Sequence, residues 1–165
     1  LIKIDSRGPV LYKQDRVGRN GKTFNIFKFR SMYSDAEKHS GPVWASKKDP
    51  RVTRIGKIIR RLHIDEVPQF INVLLGDMSL VGPRPERPFF VEKLSGELPL
   101  YKRRLKVRPG ITGWAQVKHK YDESIEDVKV KLKYDLFYIE NMSWRMDLKI
   151  LFNTFYVTLT GKGHV

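Results

Sequence analysis

Residues 53–76 constrain the fold of this 165-residue chain more than any other segment. Thr53 can cap a helix with apolar residues at helical spacing on one side and basic residues on another. A second, shorter apolar run stops at Gly76, a residue suited to the left-handed position that follows a helix. Between the two runs stand the adjacent carboxylates Asp65 and Glu66. The segment therefore predicts two helices that meet at an acidic pair.

The surroundings of this acidic pair favour chemistry on a phosphate. If Asp65 is the N-cap of the second helix, Pro68 falls in the first turn, where its missing N–H costs nothing. The positive end of the helix dipole would then favour the ionised carboxylate, as a nucleophile or a metal ligand needs. Arg60, Arg61 and Arg84 can offer forked donors to a diphosphate. The alternative is that the carboxylates only cap a helix and that the arginines are solvated.

Four ordered blocks of the sequence carry a more specific signal. They are KTFNIFKFRSM at residues 22–32, IDEVPQ at 64–69 with NVLLGDMSLVGPRPE at 72–86, RPGITGWAQV at 108–117, and Tyr134-Asp135 with Tyr138-Ile139. Together these blocks resemble those of the bacterial sugar transferases, the monotopic polyprenyl-phosphate phosphoglycosyl transferases. The stretch RPFFVE at residues 87–92, directly after the second block, is most similar to members that initiate exopolysaccharide or O-antigen assembly.

The resemblance implies an enzyme that transfers a sugar-1-phosphate from a UDP-sugar to undecaprenyl phosphate or another polyprenyl phosphate and releases UMP. It implies that Asp65 attacks the sugar-linked phosphorus and forms a covalent aspartyl-phosphosugar intermediate. Glu66 would hold or position Mg²⁺, a cation that takes oxygen ligands and bridges diphosphates. This reaction would be the first membrane step of exopolysaccharide, capsule or O-antigen synthesis. The motifs do not select one sugar.

The resemblance also implies substrate-binding residues. Lys28, Arg60 and Arg84 match family positions associated with phosphate or substrate contacts. Arg30 is added because it lies in the same predicted strand as Lys28, although alternating basic residues on an exposed strand can also be merely solvated. Many members carry Asn-Gly-Arg after the third block, where this chain has KHKY, so Lys120 is the candidate replacement for that arginine.

The charge of the chain predicts an anionic partner. There are 32 Lys and Arg against 18 Asp and Glu, a formal net charge of +14. Nucleic acid, anionic lipid headgroups and phosphorylated substrates would all suit this charge, and the resemblance favours the last two. Interleaved aromatic residues leave a basic nucleic-acid-binding module as the alternative, since bases stack on aromatic rings. The sequence shows no helix-turn-helix, zinc-finger or RNA-recognition signature in support of that alternative.

The remaining patterns predict one catalytic domain over residues 1–165, with a mixed α/β, helix-rich fold and a small antiparallel β-hairpin. The predicted elements are strands at 10–14 and 24–30 around the turn signal Asn20-Gly21, a helix from Ser124 to about Glu140, and a helix from Ser143 to near Gly161.

The resemblance places this domain on the cytoplasmic face of the bacterial inner membrane, with amphipathic interfacial helices; a homodimer stays open. The expected membrane-facing side combines the basic helix bearing Arg54, Lys57 and Arg61, the cluster Lys102, Arg103 and Arg104, and the aromatic helix from Trp144 to Tyr156. For the basic helix, the alternative is an ordinary core-facing helix with a charged outer side. No apolar run of about eighteen residues is present. The family's N-terminal membrane segment is therefore expected to be absent from this chain.

Overall fold

The structure of the protein, a computed structural model, describes residues 1–38, 41, 43, 49–119 and 124–160. Its helices and strands are α1 (Ile2–Asp5), β1 (Leu11–Val17), β2 (Thr23–Phe29), α2 (Arg54–Arg61), α3 (Gln69–Leu74), β3 (Ser79–Val81), α4 (Pro88–Glu97), β4 (Gly110–Thr112), α5 (Trp114–Lys118), α6 (Ile125–Glu140) and α7 (Trp144–Thr160). Short 3-10 turns occupy Arg19–Gly21, Ile64–Glu66 and Tyr101–Lys106. The helix-rich mixed α/β prediction is confirmed. Among the described residues, no helix is both long and apolar enough to cross a membrane.

The predicted hairpin is formed by β1 and β2, which pair antiparallel from Leu11 opposite Phe29 to Val17 opposite Thr23. The connection turns through two left-handed residues, Asn20 with φ 58° and Gly21 with φ 80°. Asparagine and glycine tolerate this conformation better than other residues, which is why the pair signals a turn. β1 begins one residue later and ends three residues later than predicted, whereas β2 has the predicted length but lies one residue earlier.

A second sheet, which the sequence did not predict, pairs β3 with β4 in parallel. Ser79 lies opposite Gly110, and Val81 lies opposite Thr112. Strands of three residues are too short to show alternating hydrophobicity. The approach is so close that a Cβ atom on Gly110 would lie 2.1 Å from the backbone nitrogen of Gly82.

The predicted start of α2 is confirmed. The Thr53 side chain accepts a hydrogen bond from the Gly56 backbone N–H, and the Asp5 carboxylate accepts one from Ile55. A Cβ atom at position 56 would lie 1.9 Å from the backbone oxygen of Ser31. Glycine at this position therefore allows α2 to lie directly against the chain that leaves β2.

The prediction that Asp65 is the N-cap of the next helix is wrong. Asp65 lies inside the 3-10 turn Ile64–Glu66, and α3 begins only at Gln69. The Glu66 N–H donates to the His63 carbonyl in the 3-10 pattern, and Pro68 has no N–H to continue a hydrogen-bonded ladder. The α-helix consequently starts after the proline. The predicted end is confirmed, since Gly76 is left-handed with φ 82°.

The core has two clusters of buried apolar residues. One cluster contains Val17, Phe90, Val91, Leu94, Leu98, Tyr101, Val128 and Leu132, and the other contains Val81, Tyr138 and Ile150. The long helix α6 contributes Val128, Leu132 and Tyr138 to these clusters, and α7 contributes Ile150. Ser124 and Asp127 form a reciprocal capping box at the start of α6, which confirms that helix start.

Candidate active site

Two of the predicted site residues, Lys28 and Arg84, contact the carboxylate of a third, Glu66. The Lys28 ammonium donates to Glu66 Oε1 at 2.9 Å. The Arg84 guanidinium donates through Nη2 to Oε1 at 2.5 Å and through Nη1 to Oε2 at 3.3 Å. The contacts join β2, the 3-10 turn at Ile64–Glu66 and the loop after β3. Residues up to 56 positions apart are thus brought into one cluster.

Glu66 is held in its ionised form by this arrangement. Its side chain is 13% exposed, so burial raises its pKa, but the charges and hydrogen bonds of Arg84 and Lys28 more than reverse this effect. The result is a pKa well below the ordinary value of a glutamate. The Glu66 charge in turn raises the pKa of Arg84. Glu66 therefore remains ionised at physiological pH.

Asp65 differs sharply from its neighbour. It is only 7% exposed, and no other described residue donates a hydrogen bond to its carboxylate. Burial raises the pKa of Asp65, although the nearby charges of Lys28, Arg60 and Arg84 act in the opposite direction. The prediction of an environment that favours the ionised form is wrong, because Asp65 is a buried residue rather than a helix cap. A carboxylate that is largely withdrawn from water is a stronger nucleophile than a fully solvated one.

The other predicted site residues lie in different places. Arg60 lies half-buried in the last turn of α2, and its charge lowers the pKa of Asp65. Arg30 does not join the cluster: it is buried, and its guanidinium donates to Ser6 Oγ and to the carbonyls of Ser6, Gly8 and Pro9. It connects the end of β2 to the N-terminal segment. Lys120 lies outside the described residues.

Asn72 is a residue of the site region whose role was missed in the sequence. Its fully buried amide accepts a hydrogen bond from Phe27 N–H at 3.0 Å and donates to the Asn25 carbonyl at 2.8 Å. The side chain thus pairs with β2 as a further strand would, and it fixes Lys28 relative to Glu66. A buried amide needs such partners. The available signal was a polar residue in the middle of an apolar run.

The donor set can be tested against the Mg²⁺ that the family resemblance implies. Within the described ranges, no group of three or more His, Asp or Glu side chains could hold a metal ion. Magnesium bound with phosphates usually takes only one or two carboxylates from the protein. Asp65 has unbonded oxygens, and Glu66 Oε2 accepts a single long hydrogen bond of 3.3 Å. The residues therefore fit an ion whose remaining ligands are substrate phosphates and water.

The chain matches a known protein family over nearly its whole length. The model of the family described as bacterial sugar transferase matches residues 1–161. The chain belongs to the bacterial sugar transferase family. The match includes every described residue of the site, so the Glu66 cluster and Asp65 are features of a bacterial sugar transferase domain.

Several curated proteins are similar in sequence to this sugar transferase domain. It is 52% identical over 163 residues, 99% of this chain, to the UDP-N-acetylgalactosamine-undecaprenyl-phosphate N-acetylgalactosaminephosphotransferase of Aeromonas hydrophila. It is 49% identical over 160 residues, 93% of the chain, to the undecaprenyl-phosphate glucose phosphotransferase of Komagataeibacter xylinus. It is 45% identical over 172 residues, 99% of the chain, to the exopolysaccharide production protein PSS of Rhizobium leguminosarum bv. phaseoli. The matches cover 38%, 30% and 84% of these three proteins, respectively.

Proposed function

We propose that this domain transfers a sugar-1-phosphate from a UDP-sugar to undecaprenyl phosphate and releases UMP, as the first membrane step of exopolysaccharide, capsule or O-antigen synthesis. The observation that carries the proposal is the buried carboxylate of Asp65, which accepts no hydrogen bond from the described residues, beside the Lys28–Glu66–Arg84 cluster. The names of the Aeromonas and Komagataeibacter relatives support the choice of acceptor, and the Aeromonas name supports a UDP-activated donor.

The reaction we propose has two displacements at one phosphorus atom. A carboxylate oxygen of Asp65 attacks the phosphorus that carries the sugar, and the bond from that phosphorus to the oxygen of UMP breaks. UMP leaves with the electron pair, and the sugar phosphate remains on Asp65. A phosphate oxygen of undecaprenyl phosphate then attacks the same phosphorus, and the Asp65 carboxylate is released. Glu66 cannot serve as this nucleophile while both its oxygens accept hydrogen bonds from cations.

The cations around Glu66 have the geometry to receive a diphosphate. Lys28 and Arg84 would use their remaining N–H donors to bind phosphate oxygens, because phosphate accepts the same charge-assisted hydrogen bonds as a carboxylate. Glu66 would then hold Mg²⁺, which offsets negative charge on the diphosphate and on the leaving nucleotide when it is bound. Arg60 would contribute a further positive charge near Asp65.

Membrane association belongs to the same proposal, because the acceptor carries a polyprenyl chain. The segment around Asp65 exposes large apolar side chains, and Leu74 has 88% of its surface in contact with solvent. The other exposed apolar side chains of this segment, which with Leu74 form what we call the apolar surface, are Ile58, Leu62, Ile64, Val67, Phe70, Ile71 and Leu75. Apolar patches of this kind mark interaction sites. With Arg54, Lys57 and Arg61 exposed on the adjoining helix, the patch suits an anionic bilayer surface.

Helix α7 and the cluster of Lys102, Arg103 and Arg104, the two other parts of the expected membrane-facing side, differ in how far their side chains are exposed. On α7, Trp144, Phe152 and Phe155 are exposed, as a helix at an interface requires. In the basic cluster, Lys102 and Arg103 are exposed, but Arg104 is buried and cannot contact a headgroup. The expectation of three surface charges there is wrong for Arg104, whose charge is paired inside the protein.

The proposal is tested by incubating membranes that contain the full-length protein with a panel of UDP-sugars and undecaprenyl phosphate, and by measuring UMP. We expect UMP to be released with at least one of these sugars. No release with any of them would contradict the proposal. A salt titration with random oligonucleotides, carried out in parallel, separates this function from the nucleic-acid-binding alternative.

A further inference from the structure

The loop that carries Arg84 is held at four successive carbonyl groups. Gly110 N–H donates to the Pro83 carbonyl at 3.0 Å, and Val17 N–H donates to the Glu86 carbonyl at 2.9 Å. Between these two, Arg104 Nη2 donates to the Arg84 carbonyl at 2.8 Å, and Arg16 Nη1 donates to the Pro85 carbonyl at 3.0 Å. The backbone of the loop is thus fixed to separate parts of the chain, while the Arg84 side chain keeps 34% of its surface exposed.

Arg104 is itself fixed from several directions. Its Nε donates to Asp135 Oδ2 at 3.0 Å, and its Nη1 donates to the Tyr101 hydroxyl at 2.9 Å. The side chains of Arg104 and Asp135 are only 3% and 2% exposed. One planar guanidinium therefore links α6, the 3-10 turn at Tyr101–Lys106 and the Arg84 backbone. A lysine ammonium lacks the rigid fork that makes three such contacts at once.

The remaining charges of this region support the same loop. The Glu86 carboxylate accepts a hydrogen bond from Lys131 at 2.8 Å and lies 3.7 Å from Arg16. Burial raises the pKa of Glu86, but Lys131, Arg104 and Arg16 together lower it to about 2. A cavity of about 10 Å³ between Glu86, Arg104, Lys131 and Asp135 leaves no room for a substrate. These groups therefore act on the loop and not on a ligand of their own.

We propose that Arg104, held by Asp135 and Tyr101, is a positioning residue for Arg84, and that it fixes the Arg84 backbone so that the guanidinium meets the donor's diphosphate. This inference rests on the proposed function. It gives a role to Asp135 in the fourth sequence block, which has no part in the chemistry at Asp65. A displacement of about 1 Å at a substrate-binding group can lower a rate about a hundredfold, so the backbone contact is of a size to matter.

A purely structural role is the alternative. Buried ion pairs are often no more stabilising than apolar residues of similar size. Stability alone is therefore a weak reason for placing these charges directly behind Arg84. The two roles are separated by whether the effect of changing Arg104 depends on Arg84.

The test is a double-mutant cycle on kcat with Arg104→Lys, Arg84→Lys and the two combined. We expect Arg104→Lys to lower kcat by about tenfold or more when Arg84 is present, and by less than about twofold in the Arg84→Lys background. Val91→Ala, a buried change on α4, should have the same effect in both backgrounds. An equal loss from Arg104→Lys in both backgrounds would overturn the proposal. If Arg104→Lys does not fold, the double replacement Arg104→Met with Asp135→Leu removes both buried charges and takes its place in the cycle.

A second measurement needs no turnover, so it separates failure of this inference from failure of the proposed function. The Nε–Hε NMR signal of Arg84 can be assigned by its loss in Arg84→Lys. We expect Arg104→Lys to shift or broaden this signal and Val91→Ala to leave it in place. An unchanged Arg84 signal in folded Arg104→Lys would show that Arg104 does not position Arg84, whatever the substrate.

Discussion

Asp65 and Glu66 are neighbours in the sequence, but the regions around their side chains differ in nearly every property that governs a carboxylate. Glu66 accepts hydrogen bonds from two cations, and its pKa is lowered. Asp65 accepts none from the described residues, and burial raises its pKa. One backbone turn thus presents one carboxylate that is paired with two cations and one that accepts no hydrogen bond from the described residues. The difference indicates that Glu66 organises charge, whereas Asp65 is available for bond formation.

The difference also has an energetic consequence. A buried carboxylate without partners destabilises the fold, because desolvation penalises its charge. Functional sites often retain such unfavourable groups. The pair therefore predicts opposite responses to substitution: at Asp65 the fold should gain stability and lose activity, whereas at Glu66 both should fall.

The largest effect is expected from Asp65→Asn. The amide fills the same space but cannot form the covalent intermediate that we propose, so turnover should fall by about a thousandfold or more with the fold intact. UMP release and circular dichroism are the measurements. Glu92→Gln, at an exposed position, is the control and should keep its rate. A rate for Asp65→Asn within about tenfold of wild type would show that Asp65 is not the nucleophile.

The second largest effect is expected at Arg84, one of the two cations that pair with Glu66 and not with Asp65. Arg84→Lys keeps the charge near Glu66 but loses the forked contact with both Glu66 oxygens. We expect kcat/KM for the UDP-sugar to fall by about a hundredfold. Arg103→Lys, a change at an exposed arginine, should have little effect. Near-normal kinetics in Arg84→Lys would mean that Arg84 acts only as a diffuse charge.

A third, smaller effect concerns the apolar surface that surrounds Asp65 and not the cations of Glu66. The chain should sediment with anionic vesicles at low salt and be released at high salt. Leu74→Glu should weaken this binding by about tenfold or more, because the apolar contact of Leu74 with the acyl region of the bilayer would be lost. Val130→Glu, an exposed apolar position on α6, is the matched control. Equal binding to neutral and anionic vesicles, or no binding to either, would contradict an electrostatic contact.

The smallest effects are the opposite changes in stability. Because the pKa of Asp65 is raised from about 3.8, its charged form is disfavoured in the folded state, and stability is lost as pH rises through the folded pKa. Asp65→Asn should therefore raise the free energy of unfolding at pH 7 by an amount on the order of 1 kcal/mol, with a higher Tm, and the gain should vanish at strongly acidic pH. Thermal unfolding across a pH series measures this, and a lower Tm for Asp65→Asn at pH 7 would contradict it.

Glu66→Gln should behave in the opposite way in the same series. The folded pKa of Glu66 lies well below about 4.5, so its stabilisation is present above that value and is lost as pH falls through the folded pKa. Substitution should lower Tm at pH 7, because Lys28 and Arg84 lose their shared partner. A Tm equal to that of wild type at pH 7 would show that the cluster adds nothing to stability.

Much of the architecture was predictable from local signals. The turn at Asn20-Gly21, the cap at Thr53 and the capping box at Ser124 each depend on residues within a few positions, and each is confirmed. The parallel pair β3 and β4 depends on contacts about thirty residues apart, which no local pattern encodes. Arg30 and Arg104 show the same limit, since their charges suggested ligands or surfaces and their actual partners are distant backbone and side-chain groups.

Three residues that meet at the candidate site could be named from the sequence, but the electrostatics of the site could not be predicted. Lys28, Glu66 and Arg84 were all named from the sequence, and the structure brings them together. The sequence suggested that a helix dipole would stabilise charge on Asp65, whereas the 3-10 turn buries it instead. Burial is a property of the whole fold, so the direction of the Asp65 pKa shift could not follow from the neighbouring residues alone.

The most direct test of the account is to look for the sugar phosphate on Asp65 itself. The full-length protein is incubated with Mg²⁺ and a UDP-sugar labelled with ³²P at the sugar-linked phosphate, without undecaprenyl phosphate, and is then digested for mass spectrometry. We expect the label on the peptide that contains Asp65 and its loss when undecaprenyl phosphate is added. Label on Glu66, or an unlabelled protein that still turns over the same UDP-sugar when the acceptor is present, would contradict the assignment of Asp65 as the nucleophile.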